Sequence, residues 1–209
     1  MGNFNNITDY FNYGDASSAH TLIYGDPKRG AEAFRALIDL MESKVANGEA
    51  TLYGIGLDLK RVEPEDRGRR RLFDSLSPAD DPDPTLAEVT RLMDIRAEHI
   101  HAEFYTDRTE AQRLVAQNGI RPAYLFINDL SRLLSDGDAE RSVVERVLTV
   151  GRSYGVYLVA MTPSVKDEAI RRVRDNIMSE LIIEPERRKL SPYFRDLLSD
   201  AGTIEDTKN

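Results

Sequence analysis

Two stretches carry residue types whose spacing could do phosphate chemistry. The first is Gly25-Asp26-Pro27-Lys28-Arg29-Gly30-Ala31-Glu32, which follows the apolar run Leu22-Ile23-Tyr24 and leads into a helix-like pattern. Two glycines separated by four residues, between a strand and a helix, form the frame of the phosphate-binding layout G-x-x-x-x-G-K-[ST]. In that layout backbone N–H groups and the helix N-terminus favour phosphate, the lysine neutralises the outer oxygens, and the hydroxyl holds magnesium. Here Ala31 stands at the lysine position and Glu32 at the Ser/Thr position. Ala31 supplies no charge. Glu32 brings an anion where a triphosphate needs a cation, although an acid suits the first turn of a helix. Lys28 and Arg29 are cations within the loop that could compensate in part. A plain structural turn carries the same glycines.

The second stretch is Tyr124-Leu125-Phe126-Ile127-Asn128-Asp129, an apolar run ending in two polar residues. Nucleotide-hydrolysing sites end such a strand in an Asp that holds magnesium, often followed by a Glu that acts on the attacking water. Asn128 is a neutral amide and a poorer partner for a hydrated divalent cation than a carboxylate. Asp129 is one methylene shorter than the usual base. The plainer reading is a buried strand ending at a polar turn. Losses at two independent motifs agree, and they favour a site that no longer hydrolyses nucleotide. On this reading the chain has no assigned catalytic residue and no metal ligand, and ATP with magnesium is only weakly supported. If the frame is intact, Ala31→Lys with Glu32→Thr restores some nucleotide affinity, and turnover waits on Asn128→Asp.

The remaining constellations are weaker. His99 and His101 are two apart, so on a helix they face different ways and make a poor metal pair. Asp80, Asp81 and Asp83 alternate with prolines and read as a solvated loop. Ser153 and Ser164 lack a placed base. Arg152 could reach a neighbouring nucleotide, but an arginine near a helix C-terminus is ordinary.

The elements that must position these residues follow from periodicity. His20 to Tyr24 reads as a buried strand. Phe34, Leu37, Ile38, Met41 and Val45 mark one helical face after Gly30, stopped by Asn47-Gly48. Thr51 to Leu59 reads as a second strand, fit to be buried on both faces, and Ala123 to Ile127, Val156 to Met161 and Ser179 to Ile183 read as further strands. Helices are expected from Leu86 to Phe104, over Thr109 to Gln117, after the Gly137-Asp138 cap, and from Lys166 to Arg174. Lys60 to Pro84 reads as loop. Alternation of this kind implies an α/β fold with a mainly parallel sheet flanked by helices on both faces. Residues 1–19 form a polar and aromatic lead-in, 20–190 the folded domain, and 191–209 a short helix and acidic tail.

The chain has 209 residues, 41% of them hydrophobic, which suits one sizeable domain. A net charge of -8 disfavours nucleic acid as a general partner. The basic clusters Arg67/Arg69/Arg70/Arg71, Arg171/Arg172/Arg174 and Arg187/Arg188/Lys189 read as solvated surface. Absence of cysteine removes disulfides and thiolate metal sites. No apolar run approaches the ~20 residues that span a bilayer, so the chain reads as soluble, as a domain of a longer membrane-anchored protein also would.

Five segments in order resemble the FtsK/SpoIIIE family of P-loop motor ATPases. Gly56-Leu57-Asp58-Leu59-Lys60-Arg61-Val62-Glu63 is similar to that family's "IDPKRVE" and is the most specific match. Asn128-Asp129 falls where the family has Asp-Glu. Gly151-Arg152-Ser153-Tyr154-Gly155-Val156-Tyr157-Leu158 resembles "GRAAGIHL". Thr162-Pro163-Ser164-Val165 sits at "ATQRPSV" without its glutamine and arginine, and Asp175-Asn176-Ile177 resembles "ANI". The resemblance implies a RecA-like P-loop NTPase fold. Within the family, the chain is most similar to a C-terminal ATPase domain of the type VII secretion proteins EssC and EccC, where later domains tend to lose the catalytic residues. That likeness implies a cytoplasmic domain of a membrane-anchored bacterial protein. Its implied partners are sister ATPase domains, secreted WXG-type substrates and further copies in an oligomer, and its implied role is substrate docking or regulation. The competing reading is an active DNA translocase in which Lys28 replaces the missing lysine.

Overall fold

Leu22 and Ile23 are adjacent in sequence and both fully buried, yet they belong to different cores. Successive side chains of a strand point to opposite faces, so a strand buried on both sides feeds two cores at once. In the computed structural model, which describes residues 20–25, 27–57, 70–100, 119–164, 166, 168–177 and 179–183, the same division runs through the other central strands. The chain order is β1 (Thr21–Gly25), α1 (Pro27–Ala46), β2 (Thr51–Ile55), β3 (Phe73–Ser77), α2 (Asp83–Ile100), β4 (Ala123–Asn128), α3 (Leu130–Asp136), α4 (Asp138–Val150), β5 (Val156–Thr162), α5 (Glu168–Arg174) and β6 (Ser179–Ile183). A short 3-10 turn, Gly151–Tyr154, links α4 to β5.

The six strands form one sheet in the order β3-β2-β4-β5-β1-β6, and every pairing is parallel. β5 thus lies between β1 and β4. The register aligns Asn128 with Met161 and Met161 with Ile23, so the ends of β4, β5 and β1 form one row. On one face α1 packs Phe34, Leu37, Ile38 and Met41 against Ile23, Leu52, Phe126 and Val159. Phe126 is fully buried and meets Phe34 and Phe73 edge-on, with ring centroids 5.6 and 6.2 Å away. Burying a side chain of this size stabilises by about 1.5–3 kcal/mol. The opposite face is covered by α2, α3, α4 and α5 through Val89, Met93, Leu130, Leu134, Val147 and Ile170.

Three differences from the sequence reading have physical reasons. β3 lies within the stretch read as loop. Its sequence, Phe-Asp-Ser-Leu-Ser, lacks an apolar run, but the polar side chains find partners. Thr85 at the start of α2 is fully buried, and its hydroxyl lies 2.9 Å from that of Ser75 and 2.8 Å from that of Ser77. The Thr85 N–H also donates to Ser77 Oγ. The short helix α3 replaces what read as a polar turn after Asn128. Finally, α1 starts at Pro27 and not at Gly30. The lead-in 1–19, the segment 58–69, the helix read at Thr109 to Gln117, His101 and the tail 191–209 lie outside the described residues. Among the described residues no helix is long and apolar enough to cross a membrane.

Candidate functional site

The carboxyl ends of β1, β4 and β5 are where a parallel α/β sheet of this kind presents its ligand-binding edge. At β1 the strand ends in Gly25 at φ 124°. Only Asp26 separates it from α1, and Pro27 occupies the first helical position, where a fixed φ and a missing N–H cost nothing. Lys28 and Arg29 are the next two helical residues, and Gly30 is the fourth. A phosphate-cradling loop turns successive N–H groups toward its anion. In an α-helix the amides beyond the first turn are spent on carbonyls four residues back. The backbone of Ala31 and Glu32 is therefore committed to the helix. Glu32 is exposed and lies in the second turn, not the first.

Gly30 has a packing reason of its own. It is buried, and a Cβ added there would sit 2.5 Å from Sδ of Met161 on β5. The glycine lets α1 lie close over the end of β5. The second glycine of the phosphate-loop pattern is thus accounted for by helix-to-sheet contact.

The end of β4 is built differently. Asn128 is half-buried, and its carbonyl oxygen lies where a Cβ on Gly56 would come within 1.7 Å. Gly56 holds φ +69°, a left-handed conformation that suits glycine. Its N–H donates to the Ser77 carbonyl at 3.0 Å, which ties the exit of β2 to the end of β3. The sequence reading ran a strand through Gly56 to Leu59; β2 instead ends at Ile55, and Gly56 lets it close against β4. Asp129 is the N-cap of α3. Its Oδ1 accepts from the Ser131 N–H and the Ser131 hydroxyl, both at 2.9 Å. A carboxylate at this position satisfies an orphan amide and favours the helix dipole.

At β5 the polar end is Thr162, which is buried and whose hydroxyl donates to the Ser164 carbonyl at 3.4 Å. Behind the strand, Gly155 adopts φ +65° and closes the turn that carries Arg152 and Tyr154 into the core. Gly151 sits where a Cβ would meet the Val156 carbonyl at 2.7 Å. Both glycines of the 151–158 match therefore have local structural causes. Arg152 is buried, which does not suit a residue reaching out to a neighbour's nucleotide.

Arg96 was missed by sequence reasoning. Buried on α2, it donates to the carbonyls of Tyr154 at 2.8 Å, Gly155 at 3.0 Å and Arg121 at 2.6 Å. Burial pulls its pKa below the usual arginine value. It fixes the starts of β4 and β5 to the helix that covers them. Nothing in the spacing of a helical arginine marks it out for this.

No protein-family model matches the chain, and no curated protein matches it. Solved structures do. The cytoplasmic domain of the Thermomonospora curvata type VII secretion ATPase EccC superposes with a TM-score of 0.60 at 18% identity, over 91% of this chain and 23% of that one. ATPases 2 and 3 of the same EccC, in complex with a signal sequence peptide, give 0.57 at 20% identity over 90% of this chain and 34% of that one. The cytoplasmic domain of EssC gives 0.57 at 9% identity over 88% of this chain and 35% of that one. The chain thus spans about a quarter to a third of the length of the chains it matches. It has the RecA-like P-loop NTPase fold of these secretion ATPases, the fold that its FtsK/SpoIIIE-like segments lead one to expect.

Proposed function

We propose that the chain is a hydrolysis-deficient FtsK/SpoIIIE-like ATPase domain of a type VII secretion motor, acting in substrate docking or regulation of the assembly. The observation that carries this reading is the start of α1 at Pro27, which makes Pro27 to Glu32 helical where a phosphate-binding loop would need open backbone amides. The residue types agree: Ala31 and Glu32 provide neither lysine nor hydroxyl, Asn128 provides no carboxylate, and Asp129 is engaged in capping α3. Gly25 to Glu32 and Asn128-Asp129 are proposed as the remnant of the nucleotide site. A fold that keeps its frame without its chemistry suits a module that binds protein, and one structural neighbour is a complex with a signal sequence peptide. We carry a docking role to this chain on that basis. Sister ATPase domains and WXG-type secreted proteins are its proposed partners, and a cytoplasmic position on a membrane-anchored protein is its proposed setting.

The test is calorimetric titration of the purified chain with ATP and magnesium at low salt. No binding at millimolar nucleotide, and no phosphate release, is the expected result. Binding that disappears in Lys28→Ala would show that the loop has been rewired around that lysine, and phosphate release that disappears with it would refute the reading.

A further inference from the structure

On the sheet face opposite α1, helices α2 and α4 border a groove of about 610 Å³ with Leu86, Ile95 and Val143 along its apolar part. Among the described residues its charged lining is one-sided: Asp83, Asp94, Glu98 and Glu140 stand against the single cation Arg91. Arg91 bonds Glu88 of its own helix at 2.8 Å, and Arg146 of α4 bridges to Asp94 at 2.6 Å, pinning the two helices together across the groove. Ile95 is 41% exposed and Val150 38%; among the described residues these are the exposed large hydrophobics, and they belong to the two helices that form the groove. Val150 lies two turns beyond Val143 on the same side of α4, so it extends the apolar strip.

The chemistry of an occupant follows from these walls. The backbone of α2 and α4 is consumed by its own hydrogen bonds, so an extended segment would find no edge to pair with. A helix satisfies its own backbone and presents an apolar stripe at three- and four-residue spacing, which matches a strip between two helices. The carboxylates on the rim call for cations on the flanks of that stripe. We propose that the α2–α4 groove docks a basic amphipathic helix of a partner protein, with its apolar face on Ile95 and Val143 and its lysines or arginines against Glu98 and Glu140. This deepens the docking role proposed above and rests on it.

The experiment is fluorescence anisotropy of the full chain with labelled synthetic helices of about 18 residues, one with leucines on one face and lysines on the other, and its glutamate counterpart. The lysine helix is expected to bind at least about tenfold more tightly than the glutamate helix. Ile95→Ser, at an exposed position, should weaken binding several-fold while the circular dichroism stays unchanged. Glu98→Lys with Glu140→Lys should reverse the preference between the two helices. Absence of binding, equal binding of both helices, or binding indifferent to both variants would overturn the proposal. So would self-association in sedimentation that Ile95→Ser disperses, since that would make a second copy the occupant. Phosphate release from ATP by the purified chain would refute the hydrolysis-deficient reading and leave the peptide result standing, so the two failures are distinguishable.

Discussion

The β1–α1 and β4–α3 junctions lie at the same carboxyl edge of one sheet, each a strand running into a helix. At β1–α1 a single residue separates the two elements, and the helix absorbs the sequence that reads as a phosphate loop. At β4–α3 the strand leaves the sheet before the helix begins, backed by Gly56 and capped by Asp129. The difference teaches that glycines have to be interpreted by what approaches them. Gly30 is needed because Met161 sits beneath it, whereas Gly56 is needed both for its positive φ and because the Asn128 carbonyl sits against it.

The two junctions respond differently to substitution. Gly56→Ala has the largest expected effect, because it combines a left-handed backbone with a clash against a main-chain oxygen that has little room to move. A loss of at least about 3 kcal/mol is expected in urea unfolding, beyond the strain of the conformation alone. Arg96→Met comes next: it leaves the carbonyls of Tyr154, Gly155 and Arg121 without their shared donor. The expected cost is about 2–3 kcal/mol in the same measurement. Asp129→Ala removes the cap of α3 and should cost about 1 kcal/mol, while Asp129→Asn should retain most of it. A smaller loss from Asp129→Ala than from either of the others is the pattern expected if Asp129 is a cap and not a buried charge. Ala31→Lys with Glu32→Thr has the smallest expected effect. With residues 27–32 helical, the pair should change stability by less than about 0.5 kcal/mol and bring no ATP affinity in calorimetry. The repair expected for an intact loop thus reverses, and a clear gain in affinity would show that the helix yields to nucleotide.

How much of this was legible in the sequence depends on where each cause lies. β1, β2, β4 and β5 were readable because strands buried on both faces are short apolar runs, and β6 was readable from Leu181-Ile182-Ile183. The buried face of α1 was readable from Phe34, Leu37, Ile38 and Met41 at helical spacing. β3 was hidden because its serines are satisfied by Thr85, a residue in the following helix. α3 was hidden because only seven residues carry it, with Leu130, Leu133 and Leu134 as its buried contacts. At the candidate site the misleading cue was Gly30, which inside a helix looks like a loop residue until Met161 is known to lie against it. Pro27 was the available counter-signal, since proline is favoured at a helix's first position. Arg96 and the packing of Gly56 on Asn128 depend on contacts distant in sequence, which local patterns do not encode.

The measurement that bears most directly on the rebuilt junction is backbone NMR of residues 27–32 with and without millimolar magnesium-ATP. Helical shifts that begin at the start of α1 and stay unchanged on adding nucleotide are the expected result. Non-helical shifts in the free chain, or a nucleotide-dependent change centred on Lys28 to Ala31, would mean that a phosphate loop survives there and that the chain is a nucleotide-binding ATPase domain after all.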